Sequence, residues 1–129
     1  MDLDRPILQA VDVHLEDVVS VSVALTRAGQ EYRGQAEGAI DSASRARVVG
    51  EATLRAVEAM TGGVRFELSA VGTSTLDDVT IALVQVAEVG RAENYVGSAL
   101  IRHGDVVLAT ARAVLHALNR SLAAIQLRE

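Results

Sequence analysis

The sequence has no cysteine, no lysine and no tryptophan, a single proline, and only three aromatic residues, Tyr32, Phe66 and Tyr95. Each shortage removes a class of chemistry. Without cysteine there is no disulfide framework, no thiolate nucleophile and no zinc site of the cysteine type. With so few aromatics, the chain lacks the stacking platforms that hold single-stranded nucleic acid. All 12 basic residues are arginines, and 17 acidic residues bring the net charge to −5. That balance repels phosphate backbones, and the arginines are not clustered, so no nucleic-acid partner is expected, double-stranded RNA included. No apolar run approaches the roughly 18 residues that a membrane-spanning helix requires. The first residues, MDLDRPILQA, carry acids where a secretory leader carries bases. A cytoplasmic location with no membrane partner is therefore expected.

What is present is a chain of 129 residues, half of them apolar. That length and composition predict one globular domain, burying roughly 65–70% of the surface its unfolded chain exposes. Its core must be built from Val, Leu, Ala and Ile.

Short echoes run through the chain in a preserved order. Leu8-Gln9-Ala10-Val11 matches Leu68-Ser69-Ala70-Val71, and Leu15-Glu16-Asp17-Val18 matches Leu76-Asp77-Asp78-Val79. Tyr32-Arg33-Gly34 then matches Tyr95-Val96-Gly97, and ATLRAV at Ala52 to Val57 matches ATARAV at Ala109 to Val114. The offsets are 60, 61, 63 and 57, a drift of the size that loop insertions produce between two copies of one unit. Residues 1–129 thus read as a single domain of two pseudo-repeats, about 7–62 and 64–125.

Both units carry the same pattern. A first strand is predicted at Ile7 to Leu15 and again at Val64 to Val71, each followed by a turn at an acidic pair. The second strand of the first unit, VVSVSVALT, puts Val19, Val21, Val23 and Leu25 on one face and Ser20, Ser22, Ala24 and Thr26 on the other. In the second unit, VTIALVQVAEV has Val79, Ile81 and Leu83 on one face and Ala82, Val84 and Val86 on the other, so both faces need cover. A second subunit is the expected source of that cover, with the C-terminal residues Leu122 to Leu127 as the alternative. A tight turn at Arg27-Ala28-Gly29-Gln30, and another around Gly90, lead into third strands at Glu31 to Glu37 and Glu93 to Ile101. The period then becomes helical, over Arg45 to Met60 with Gly62-Gly63 as its stop, and from Asp105 to about Ile125. The first helix places Val49, Ala52, Thr53, Ala56, Val57 and Met60 on one stripe, with Glu51 and Arg55 spaced as an ion pair. Arg55 and Arg112 are expected to face solvent. The fold class is α+β: tandem βββα units whose antiparallel sheet or sheets pack on two helices.

Few residues suggest chemistry. His14, His103 and His116 have no mutual metal-binding spacing and read as surface residues, and no nucleophile elbow, Walker loop or dinucleotide fingerprint occurs. Glu16-Asp17 and Asp77-Asp78 fit turn chemistry better than paired catalytic carboxylates. No metal and no cofactor are expected. The remaining candidates are the junctions between third strand and helix, where glycines before a helix N-terminus can offer N–H groups to an anion. The candidate ligand residues are Gly34, Gly38 and Asp41 in the first unit and Gly97, Gly104 and Asp105 in the second.

Taken together, these junctions and helices resemble the C-terminal regulatory domain of 2-isopropylmalate synthases and citramalate synthases. Gly34-x-Ala36 with Asp41-Ser42-Ala43 is similar to the first glycine segment of that family. Gly97-x-Ala99 with Asp105-Val106 is similar to the second, and Ala117-Leu118-Asn119-Arg120 stands where the last helix of such domains closes. The resemblance implies tandem βββα units, dimerisation, and an amino acid such as leucine or isoleucine held at the subunit interface as a feedback signal. Here the second glycine of each Gly-x-Gly is alanine, the proline that often precedes the first aspartate is missing, and the family's catalytic barrel has no counterpart. The function expected is a small non-catalytic module that forms a homo-oligomer, most simply a dimer, and binds a small metabolite in a regulatory role. A ligand-free protein–protein scaffold is the first alternative, and an enzyme of unrecognised type the second.

Overall fold

The alternation in the sequence becomes six strands. The computed structural model describes residues 5–128, with the side chains of residues 42, 43 and 120–128 outside that description. Its elements are β1 (Ile7–Leu15), β2 (Val19–Arg27), β3 (Gln30–Gly38), α1 (Ser42–Thr61), β4 (Phe66–Leu76), β5 (Val79–Glu88), β6 (Asn94–Leu100) and α2 (Val106–Arg128). The chain is α+β, with two separate antiparallel sheets of three strands, each followed by a helix. Element boundaries move modestly from the sequence expectation, most at β4, which starts two residues later than Val64 and runs on to Leu76.

Turn chemistry sets the hairpins. Ala28 (φ 52°) and Gly29 (φ 81°) make the β2–β3 turn with two left-handed residues in succession, the pairing whose twist matches that of the flanking strands. Between β4 and β5, Asp77 (φ 55°) supplies a single left-handed residue, using the tolerance of aspartate for that region. Asp41 caps α1 by accepting the Ser44 N–H at 2.8 Å on Oδ1. Gly62 (φ 70°) closes the helix by donating its N–H to the Glu58 carbonyl at 3.1 Å.

Val19, Val21, Val23 and Leu25 of β2 are fully buried against the helices, as are Ala82, Val84 and Val86 of β5. Helix α1 packs on β2 and β3, and α2 on β5 and β6. The helices also touch one another, and each crosses to the other unit: α1 reaches β4 and α2 reaches β1. One apolar cluster therefore runs through both units. The stripe expected on α1 is correspondingly too narrow. Val48 and Leu54 are buried as well, because the helix has a sheet on one side and a second helix and a foreign strand on others. Buried Thr53 and Thr110 satisfy their hydroxyls locally, on the carbonyls of Val49 (2.8 Å) and Val106 (2.7 Å).

The outer faces of the two sheets differ. Register places Asp12, His14, Arg33, Glu31 and Glu37 beside Ser20, Ser22 and Thr26 on the outside of the first sheet. On the second sheet, Val79, Ile81, Leu83 and Gln85 of β5 lie between Leu76, Ser74, Gly72 and Ala70 of β4 and Leu100, Ser98 and Val96 of β6. None of those residues is charged. Leu76 is 71% exposed, Val96 67% and Leu100 47%. Among the described residues nothing covers the second side of β5; the side chains of Leu122 to Leu127, the alternative cover, lie outside them.

Candidate functional site

The junction residues have packing and capping roles. Gly34 on β3 is buried, and a methyl there would overlap the backbone of Ala52 and Ala56 in α1; at Gly97 on β6 it would overlap Ala113 and Ala117 in α2. Both glycines let a helix rest directly on a strand. Gly38 stands against the Val48 side chain, and Gly104 (φ 72°) forms a turn with His103 (φ 56°). Asp41 and Asp105 are N-caps: Asp41 holds Ser44, and Asp105 Oδ1 accepts the Leu108 N–H at 2.9 Å. Part of each helix N-terminus offered to an anion is thus filled by the cap of the same helix.

The polar geometry concentrates elsewhere, in two grooves between a helix and the outer edge of the other unit's first strand. In the α1–β4 groove, of about 600 Å³, the strand edge is closed by side chains. Arg47 donates to the Leu68 carbonyl at 2.9 Å, and Arg55 to the Phe66 carbonyl at 3.1 Å. Glu58 accepts the Phe66 N–H at 2.8 Å and pairs with Arg55 at 3.0 Å. One sequence expectation changes here and another gains detail. Arg55 is exposed as expected but also bonds the strand edge, and its ion-pair partner is Glu58 rather than Glu51, because the strand edge holds the guanidinium toward the C-terminal end of α1.

The α2–β1 groove, of about 500 Å³, is lined by Ile7 to Ala10 and by Leu108, Arg112, Leu115, His116 and Asn119. His116 is more than a surface residue, since its Nδ1 accepts the Ser98 N–H at 3.0 Å. That bond places the proton of the neutral ring on Nε2. His14 lies on β1 and His103 in a turn, so the three histidines sit on different elements. Among the described residues, no group of three or more His, Asp or Glu side chains could hold a metal ion. Among the described residues, no helix is long and apolar enough to cross a membrane.

The grooves escape sequence reasoning because each is built from residues of both units. The one signal was the ladder Arg47, Glu51, Arg55, Glu58 along one flank of α1, which reads equally well as a solvated helix face. No protein-family model matches the chain, and no curated protein is significantly similar to it.

Proposed function

We propose that this chain is a small non-catalytic module that pairs with a second copy of itself through the open face of the second sheet, in the cytoplasm, and holds a small metabolite in a regulatory role. The observation that carries the pairing is the uncharged apolar face formed by Leu76, Val79, Ile81, Leu83, Val96 and Leu100. A chain of net charge −5 repels its own copies, so a self-complementary contact belongs where charge is absent. The first sheet, with Asp12, Glu31, Arg33 and Glu37 outside, offers no such place. Three strands about 4.8 Å apart and some 30 Å long project roughly 430 Å² per copy, so two copies approach the total of about 1,000 Å² expected of a specific interface. The metabolite, an amino acid in the simplest case, rests on the resemblance to synthase regulatory domains.

Light scattering tests the pairing: a mass of twice 13.6 kDa is expected at micromolar concentration and one chain mass for Leu83→Glu or Val96→Glu with unchanged circular dichroism. A single-chain mass for the unaltered protein rejects the pairing and favours a different protein partner on this face. A thermal-shift screen against the common amino acids tests the regulatory half, and no stabilisation by any of them counts against it.

A further inference from the structure

The two grooves occupy corresponding places in the two units, and their helix positions correspond one for one. Arg47 answers to Leu108, Glu51 to Arg112, Arg55 to His116 and Glu58 to Asn119, each pair 61 residues apart. The glycine contacts fix this spacing independently, since Gly34 faces Ala52 and Ala56 where Gly97 faces Ala113 and Ala117. The strands correspond too, with a bulge between Leu8 and Ala10 in β1 and between Leu68 and Ala70 in β4.

The chemistry of the two grooves has diverged. Around β4, three side chains satisfy the backbone edge, and two of them, Arg55 and Glu58, pair with one another. Around β1 the arginine that would cap the strand has become Leu108, and the Phe66 N–H is replaced by Pro6, which has none, just where Glu58 has become Asn119. Among the described residues, no side chain bonds to the outer backbone edge of β1, and Arg112 has no ion-pair partner. Helix α2 also touches β1 more sparsely than α1 touches β4. Among the described residues the result is a strand edge without a side-chain cap, a guanidinium without an acidic partner, and flanking apolar walls from Ile7, Leu108 and Leu115.

We propose that the groove between α2 and β1 binds the C-terminal end of an extended peptide, which adds as a fourth strand to β1 and sets its carboxylate on Arg112. An open edge supplies main-chain hydrogen bonds to a strand-like ligand and the neighbouring helix supplies side-chain contacts. A guanidinium is the group suited to take a carboxylate through two parallel hydrogen bonds. The described lining of the groove carries Arg112 and no acidic side chain, so its guanidinium is complementary to an anionic end, and Asn119 adds an amide that can donate or accept.

The test is a titration of ¹⁵N-labelled protein, followed by amide chemical shifts, with the acetylated hexapeptide TVTVTV as free acid, its C-terminal amide, and acetyl-valine. The free acid is expected to move the signals of Leu8, Gln9 and Ala10 and to bind about tenfold more tightly than the amide. Arg112→Leu, an exposed position, should remove that difference, whereas Arg102→Leu, exposed and outside the groove, should leave it. Shifts absent at about 1 mM peptide, or confined to other strands, overturn the proposal. So does equal affinity for acid and amide, or an acid preference that survives Arg112→Leu. Acetyl-valine binding as tightly as the hexapeptide shows a carboxylate site without strand addition and overturns it as well.

Discussion

Gly34 of β3 and Ala56 of α1 meet backbone to backbone, with no room between them for a methyl group. Gly97 and Ala117 repeat the relationship in the second unit. Gly34→Ala and Gly97→Ala are each expected to destabilise the fold by about 2–3 kcal/mol, because a strand or helix must shift bodily. Gly72→Ala, where nothing lies within 4 Å of the added carbon, should stay within about 0.5 kcal/mol of the parent. Urea midpoints decide it, and three equal effects would refute the close-approach account.

Glu58 is expected to matter far more than its counterpart Asn119. Truncating Glu58→Ala strips the Phe66 N–H of its acceptor and Arg55 of its partner, a loss of about 1–3 kcal/mol for a part-buried donor. Asn119→Ala removes no bond seen among the described residues and should change stability by less than about 0.5 kcal/mol. Hydrogen exchange at the Phe66 amide gives a second readout: it should accelerate in Glu58→Ala and stay unchanged in Asn119→Ala.

The β2–β3 turn can be improved. Ala28 holds φ at 52°, a conformation that disfavours a residue with a Cβ by about 1–2 kcal/mol and that asparagine visits more readily. Ala28→Asn, which makes the turn Asn-Gly, should raise stability by about 0.5–1 kcal/mol. A lower thermal midpoint would mean that the turn adopts another geometry in solution.

Helix ends should respond in the order of their geometry. Asp105→Ala removes the acceptor for Leu108 N–H and should cost about 1 kcal/mol. Gly62→Ala forces a side chain into φ 70° at a similar cost of about 1 kcal/mol. Gly63 carries φ 141°, further from where side chains are found, so Gly63→Ala should be the most damaging of the three. Denaturant melts that rank Gly63→Ala below Asp105→Ala in effect would contradict this.

Much of the fold was legible from local periodicity, yet the echoes that revealed the duplication were only partly in register. The match of Leu8 with Leu68 is structural, since each starts the bulge of its strand. So is that of Gly34 with Gly97, opposite Val23 and Val84. The two acidic turns are not equivalent residue for residue. Leu15 pairs with Val19 on the core side of its sheet, half exposed at the strand end, while Leu76 pairs with Val79 on the outer side, because one residue of slip exchanges the faces of a strand. ATLRAV and ATARAV are displaced by a full helical turn, since Ala52 corresponds in packing to Ala113 rather than Ala109. In an alanine-rich helix one turn of slip leaves an equally apolar stripe, so the residue pattern alone cannot choose the register. The grooves were hidden for a related reason: an uncapped edge is defined by what another part of the chain fails to supply.

The crossing of the helices, α1 onto β4 and α2 onto β1, makes each half the lid of the other. Cleavage in the short link between Thr61 and Phe66 would release two fragments that each retain a sheet and a helix but lose the other half's helix from beside their first strand and along their own helix. Such fragments should be unfolded or aggregated alone and regain the native spectrum when mixed. The duplicated units would then be complementary parts of one cooperative transition, no longer able to live apart.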